Sequence, residues 1–430
     1  MQLLLNVRAE LRTDITWNHL YMDLPGVFPR GSPLHFAIHC HQPEIVKMLL
    51  SPKVGSDHLN YPGSLELTPM EYASKLHCPE IVDLLIVAGA LNDLTKNEEV
   101  LHWISILPRY EEWAVNGICN FSEEPVITCA TQLLACRSSF LEAPDEMGYT
   151  PIMIAAYKHK ESVVKFLIDQ HCNVDVSNLP EYDGRTALSL YADNHLSYES
   201  DDIVDMLYTA GASLESASSS GKRVLHFAAR NDVLGAAEKV LKLGTQIEGT
   251  IRYGETPLHI AAHYNSVTVG RLLLDKGANT IAEHGVGTIN ETDWKGLTPV
   301  AFAAARSHKE FMKLLLEYDV NPVARPSNDD SIIHFAVTET NIKVLNTVLA
   351  LEGLANTDIL NRVNKNGLTA LHLCAGNLGR QDHIVALVKA GAAINQVSNS
   401  GFSVLDIAQQ TLDFIIGELQ DQDQGNNTPV

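Results

Sequence analysis

No stretch of roughly eighteen consecutive apolar residues occurs in this 430-residue chain, so the sequence holds no helix able to span a bilayer. Basic residues are scarce: 31 Lys and Arg stand against 52 Asp and Glu, a formal net charge of −21. Such a field repels phosphate-rich partners. Nucleic acid and anionic membrane surfaces are therefore excluded as partners, and a basic or apolar protein surface is expected instead. Cysteine is sparse and unpatterned, at positions 40, 78, 119, 129, 136, 172 and 374, with no CxxC pair and no even framework. That excludes a disulfide scaffold, and the opening MQLLLNVRAELR reaches Arg8 after only a short apolar run, unlike a secretory signal. The expected setting is reducing and intracellular: the cytoplasm, with the nucleus also open.

Recognisable catalytic motifs are missing as well. The nearest approach to a phosphate loop, SSSGKR (218–223), follows Lys222 with Arg223 rather than Ser or Thr and lacks the earlier glycine. The glycines of AEHGVGTIN (282–290) have the wrong spacing for a dinucleotide site. No GxSxG or HExxH occurs. Cysteine and histidine meet at His171 and Cys172, and Cys129 and Cys136 share one segment, but burial as a free thiol is the commoner fate of such residues. No enzymatic activity, catalytic residue, cofactor or metal is expected.

What the sequence does contain is a recurring box. TPLHIAAHY (256–264) sets His259 and His263 four apart, half of a common zinc arrangement, and HFAIHCH does the same with His35 and His39, adding His41. The stretch recurs, however, as GSPLHFA (31–37), GYTPIMIAA (148–156), GRTALSLYA (184–192), KRVLHFAA (222–229), GLTPVAFAA (296–304), SIIHFA (331–336) and GLTALHLCA (367–375), among others. Eleven boxes follow one another at a period near 33 residues, with longer steps of 51 residues from 99 to 150 and 42 from 256 to 298. About ten residues after each box comes a second helical pattern, such as PEIVDLLIVAGA (79–90) or VTVGRLLLDKGA (267–278). Its apolar residues fall at i, i+3, i+4 and i+7, and Gly-Ala ends it. Thr68, Thr150, Thr186, Thr256, Thr298 and Thr369 stand where their hydroxyls can cap the first helix, and the prolines that follow several of them suit its first turn.

These boxes resemble the ankyrin repeat family, and the resemblance covers about residues 28–420. It implies an all-α solenoid of stacked helix-turn-helix units with β-hairpin fingers, in which each unit buries its apolar face on its neighbours. It also implies that His35, His102, His226, His259, His334 and His372 are structural, bridging backbone groups between units. The expected organisation is a capping helix or half-repeat at 1–27, N-terminal repeats at 28–107, and an irregular insertion with an extra helix and a hinge at 108–146. The main array follows at 147–400, then a capping repeat at 401–420 and a polar tail at 421–430.

The family's usual binding surface, transferred position by position, lies on the concave face. It selects Tyr182 and Arg185; Arg252, Tyr253 and Glu255, with His263 and Tyr264 after the paired alanines; and Trp294, Lys295 and Leu297, with Arg306. Tyr157, Lys158 and Arg230 are the equivalent positions of earlier units. LLEYDVN (315–321) resembles the pattern that asparaginyl hydroxylases of ankyrin repeats act on, with Asn321 as acceptor. The function implied is that of a non-enzymatic, monomeric scaffold or adaptor for a protein partner with a basic surface. Two other readings stay open: a sensor or substrate-recruitment arm whose effector lies elsewhere, and an activity hosted by 108–146.

Overall fold

A computed structural model describes residues 32–51, 59–62, 67–92, 124–194, 202–251, 254–280, 296–318, 323–325, 328–351 and 357–412. The chain divides into two compact units, Met1–Ser219 and Ser220–Val430. Each is built from short helices in pairs.

In the first unit the pairs are α1 (Pro33–His39) with α2 (Pro43–Leu49), α3 (Pro69–Lys75) with α4 (Pro79–Val87), α6 (Pro151–Tyr157) with α7 (Glu161–Asp169), and α8 (Ala187–Asp193) with α9 (Asp202–Thr209). Between the second and third of these pairs stands α5 (Glu124–Cys136). First helices pack side by side, α1 on α3 and α6 on α8. Second helices form their own row, α2 on α4, α4 on α5, α5 on α7 and α7 on α9. The helix near 126–140, read from the sequence as an extra one, thus occupies a place in the second-helix row. The long step between boxes shifts it out of register without removing it from the series. Residues 108–123 lie outside the described residues.

The second unit repeats the plan with α10 (Val224–Asn231) and α11 (Leu234–Lys242), α12 (Pro257–Tyr264) and α13 (Val267–Asp275), and α14 (Pro299–Ala305) and α15 (Lys309–Glu317). Then come α16 (Ile332–Thr338) and α17 (Ile342–Leu349), the short α18 (Thr357–Leu360), and α19 (Ala370–Ala375) with α20 (Gln381–Lys389). The first-helix row runs α10, α12, α14, α16, α19, and the core between the rows holds Phe227, Val240, Leu273, Phe302, Phe311 and Leu315. Among the described residues the fingers are turns more than hairpins. One two-stranded ladder joins Val323–Arg325 to Asp330–Ser331, and single bridges pair Ser177 with Thr186 and Val397 with Ser403.

The local reasons for these elements are visible in the box. Small alanines at 228–229, 261–262 and 303–304 are wholly buried where first helices approach each other. Gly89, Gly211 and Gly277 end second helices with φ near +90°, a conformation that costs glycine nothing. Threonine capping divides by repeat. Thr68, Thr186 and Thr369 accept from the backbone N–H three residues on, as expected, and Ser331 does the same. Thr150, Thr256 and Thr298 do not. The Thr256 hydroxyl lies 2.9 Å from His259 Nδ1, a contact that the capping Thr369 and Ser331 also make to their box histidines, and that of Thr298 donates to Ala324 O at 3.3 Å.

The box histidine is the stacking element. Thr256 N–H donates to His259 Nδ1 at 3.2 Å, which makes Nε2 the protonated nitrogen, and Nε2 donates to Leu297 O of the next repeat at 3.1 Å. His334 repeats this, accepting from Ser331 N–H and reaching Leu368 O at 2.8 Å, and His35 Nε2 reaches Leu67 O at 3.0 Å. His226 accepts from Arg223 N–H, while its Nε2 faces the backbone of Glu255 and Gly249 without closing a good hydrogen bond. His102 lies outside the described residues.

These rings work only as neutral imidazoles, which gives a pH prediction. Burial first, and the Arg223 guanidinium second, push His226 down to about 4. A folded-state pKa below the unfolded value near 6.5 contributes stability that is present above pH 6.5 and is lost as pH falls toward 4. Between pH 7.5 and 4.5 this group alone should cost the second unit about 2–3 kcal/mol. Urea midpoints at the two pH values check it, with His226→Gln expected to flatten the difference and an unchanged difference counting against it.

Candidate functional site

In the second unit the turns between first and second helices carry a continuous set of large side chains. The backbone there passes through left-handed conformations at Asp232, Asn265 and Ser307, so the preceding residues end α10, α12 and α14 at equivalent heights. Across these ends Arg230 lies over the Tyr264 ring, its guanidinium carbon 5.4 Å from the ring centroid. The Tyr264 ring meets that of His263 at 4.8 Å, and His263 also lies 5.9 Å from Phe302. Arg306 Nη2 donates to His263 Nε2 at 3.0 Å. Tyr264 nevertheless keeps 48% of its surface exposed.

Electrostatics fix the protonation of the centre. Burial, then Arg306, then His308 push His263 down to about 4, so at neutral pH its Nε2 lone pair accepts from Arg306. His308 is anchored separately, Nδ1 to Ala262 O at 3.0 Å. Asp232, in the first of these turns, is engaged elsewhere. The Asp232 carboxylate accepts from Val269 N–H at 2.7 Å and Thr268 N–H at 3.4 Å, capping the start of α13 in the next repeat. Glu255 is half-buried, its carboxyl raised by burial and partly offset by Lys222.

The other expected contact residues separate into distinct groups. Leu297 does not belong to a partner surface: it is fully buried, and its carbonyl receives His259. An apolar residue immediately before the Thr-Pro pair packs inward under the next helix. Arg185, in the first unit, is committed to Asp193 at 2.5 Å and Asp183 at 3.4 Å, and its nearby Tyr182 is 43% exposed. Also in the first unit, Lys158 Nζ sits 5.1 Å from the Tyr157 ring centroid. Arg252, Tyr253, Trp294, Lys295 and Asn321 lie outside the described residues. Arg230 was placed among equivalent positions by the sequence, but its contact with Tyr264 was not legible, because the two stand in different repeats.

The zinc-like spacings resolve into unrelated partners. His259 is occupied at both nitrogens by backbone and threonine, His263 binds Arg306, and His39 Nδ1 meets Tyr72 Oη at 2.7 Å. His41 Nδ1 lies 3.1 Å from Cys78 Sγ. Burial raises that thiol to about 12 and lowers His41, so Cys78 donates as a neutral thiol and is not poised as a thiolate nucleophile. Among the described residues no group of three His, Cys, Asp or Glu side chains could hold a metal, and no helix is long and apolar enough to cross a membrane.

Family comparison agrees with this architecture. Models described as "Ankyrin repeats (3 copies)" match 122–217 and 195–284, "Ankyrin repeats (many copies)" matches 258–316, and "Ankyrin repeat" matches 31–62 and 366–399. Together they cover more than half of the chain. This is an ankyrin repeat protein. The chain is 22% identical over 283 residues to the putative ankyrin repeat protein L371 of Acanthamoeba polyphaga mimivirus, covering 60% of this chain and 35% of that protein. It is 23% identical over 231 residues to the B-cell lymphoma 3 protein homolog of Mus musculus, covering 54% and 48% respectively. Rabankyrin-5 of Mus musculus matches at 24% identity over 361 residues, 80% of this chain and 26% of its own length. The chain thus spans less than half of each of these relatives. Ankyrin repeats are protein–protein interaction modules, generally without enzymatic activity of their own.

Proposed function

We propose that this protein is a non-enzymatic scaffold or adaptor that holds a protein partner on the concave ankyrin surface, with the turns of α10, α12 and α14 as the centre of contact. The observation that carries this reading is the half-exposed Tyr264 ring, fixed between Arg230 and the Arg306–His263 pair. Tyr and Arg are the usual energetic anchors of interfaces, because they bury large areas at low entropic cost. A ring already held by neighbours loses little further freedom on binding. Arg252, Tyr253, Trp294 and Lys295 are proposed to extend the same surface on the adjoining fingers. In this reading the protein is a monomer of the cytoplasm or nucleus, and its net charge of −21 favours a partner that is neither nucleic acid nor an anionic membrane surface and that carries basic groups around the contact.

The test is a pull-down from source-cell lysate with the wild-type chain beside Tyr264→Ala/Arg306→Ala, after circular dichroism shows equal folding. A protein retained by the wild type and lost by the variant is the expected result. Equal retention by both would remove the second-unit turns from consideration.

A further inference from the structure

We propose that the Arg230–Tyr264–Arg306 patch receives an extended segment of the partner in which an Asp or Glu carboxylate stands beside a large apolar or aromatic side chain. This rests on the reading just given, that the patch is a partner contact, and it names the chemistry of that contact.

The argument begins from charge. In a chain with an excess of 21 acidic groups, Arg306 brings an exposed cation to this patch. Arg306 is exposed, spends one of its five donors on His263, and forms no ion pair with a carboxylate among the described residues. Arg185, Arg271 and Arg362, by contrast, each pair with an acid. The acid in the turns that follow α10, α12 and α14, Asp232, is turned away to cap α13. His263 contributes no charge, and its lone pair orients the guanidinium. A guanidinium held in plane by one acceptor presents its remaining N–H groups in the fork geometry that matches a carboxylate, and such charge-assisted pairs are about twice as strong as neutral hydrogen bonds.

Tyr264 defines the neighbour of that carboxylate. One side of its ring is met by Arg230 and the His263 ring packs on it at a tilt, while nearly half its surface stays open. An aromatic or large aliphatic side chain stacking there would exclude water from the adjacent Arg306–carboxylate pair, raising the value of the charge contact. A lysine or arginine placed on the patch would meet the like charge of Arg306. A nucleic acid strand would meet the acidic field of the rest of the chain at every phosphate, whereas a peptide needs a single carboxylate.

The probe is a phage-displayed library of random peptides of about twelve residues, selected on the full chain. The expected consensus is an Asp or Glu at one fixed position next to Trp, Tyr, Phe or Leu. For the best peptide, made synthetically, replacing that acid by its amide should weaken binding roughly tenfold or more, and Arg306→Gln should do the same. The two changes together should cost little beyond either alone, as a coupled pair requires. Raising salt from about 50 to about 300 mM should weaken wild-type binding and leave Arg230→Gln/Arg306→Gln almost unaffected. Peptides that need Tyr264 but carry no fixed acid would overturn the carboxylate and leave the proposed surface standing. Selected peptides indifferent to Tyr264→Ala would overturn both.

Discussion

Phe311→Ala is expected to lower the stability of the second unit by about 3–5 kcal/mol, the usual cost of emptying a large buried aromatic site. Phe311 is wholly buried on α15, and the reason it fits is Gly270 on the facing α13. A Cβ at Gly270 would come within 2.5 Å of Phe311 Cε2, 2.8 Å of its Cζ and 3.2 Å of Leu314 Cδ2. The ring therefore replaces the side chain that Gly270 lacks, and a sign reversal follows. In the wild type, Gly270→Ala should destabilise by about 1–3 kcal/mol through overpacking, outweighing alanine's better helix propensity. In the Phe311→Ala background the same change should stabilise by up to about 1 kcal/mol. Urea midpoints of the four proteins measure it, and a Gly270→Ala effect of one sign in both backgrounds would refute the packing described.

His259→Leu carries the second large effect. The leucine matches the ring in bulk but abandons two buried groups, Thr256 N–H and Leu297 O, that the imidazole joins across repeats. An unsatisfied buried donor or acceptor costs about 1–3 kcal/mol each, so a loss of about 2–5 kcal/mol is expected. Because neighbouring repeats carry the stability of a stacked array, amides in α12 and α14 should exchange faster with solvent than in the wild type. A variant as stable as the parent would show that the histidine is not a stacking element.

Much of this was legible in the sequence, and the reasons differ by residue. The period, the paired helices, the alanine contacts and the box histidine were readable because each repeats, so that drift at one position is corrected by the others. Capping is not legible from the Thr-Pro position alone: Thr68, Thr186 and Thr369 accept from the N–H three residues on, whereas the hydroxyls of Thr150, Thr256 and Thr298 do not. The 51-residue step hides the register of α5 in the sequence. Its place shows only in the packing of α4 and α7 on it.

At the candidate site, the post-alanine and pre-threonine positions differ in exposure. Tyr264 and Arg306 stand exposed, while Leu297 is core. Arg185 resembled a contact residue from spacing alone, but Asp193, eight residues away, returns to it across α8 and neutralises it. That pairing, like the Arg230–Tyr264 contact, is a property of side chains meeting in space and leaves no periodic trace.

The most direct test of the account is site-specific photo-crosslinking in source-cell extract, with benzoyl-phenylalanine placed singly at Tyr264 and, as a control, at the exposed second-helix residue Val388. A discrete crosslinked protein obtained from position 264, absent from 388, and reduced by Arg230→Gln/Arg306→Gln is the predicted result. Crosslinks from 388 but not 264 would place the partner on the opposite row of helices and contradict the account.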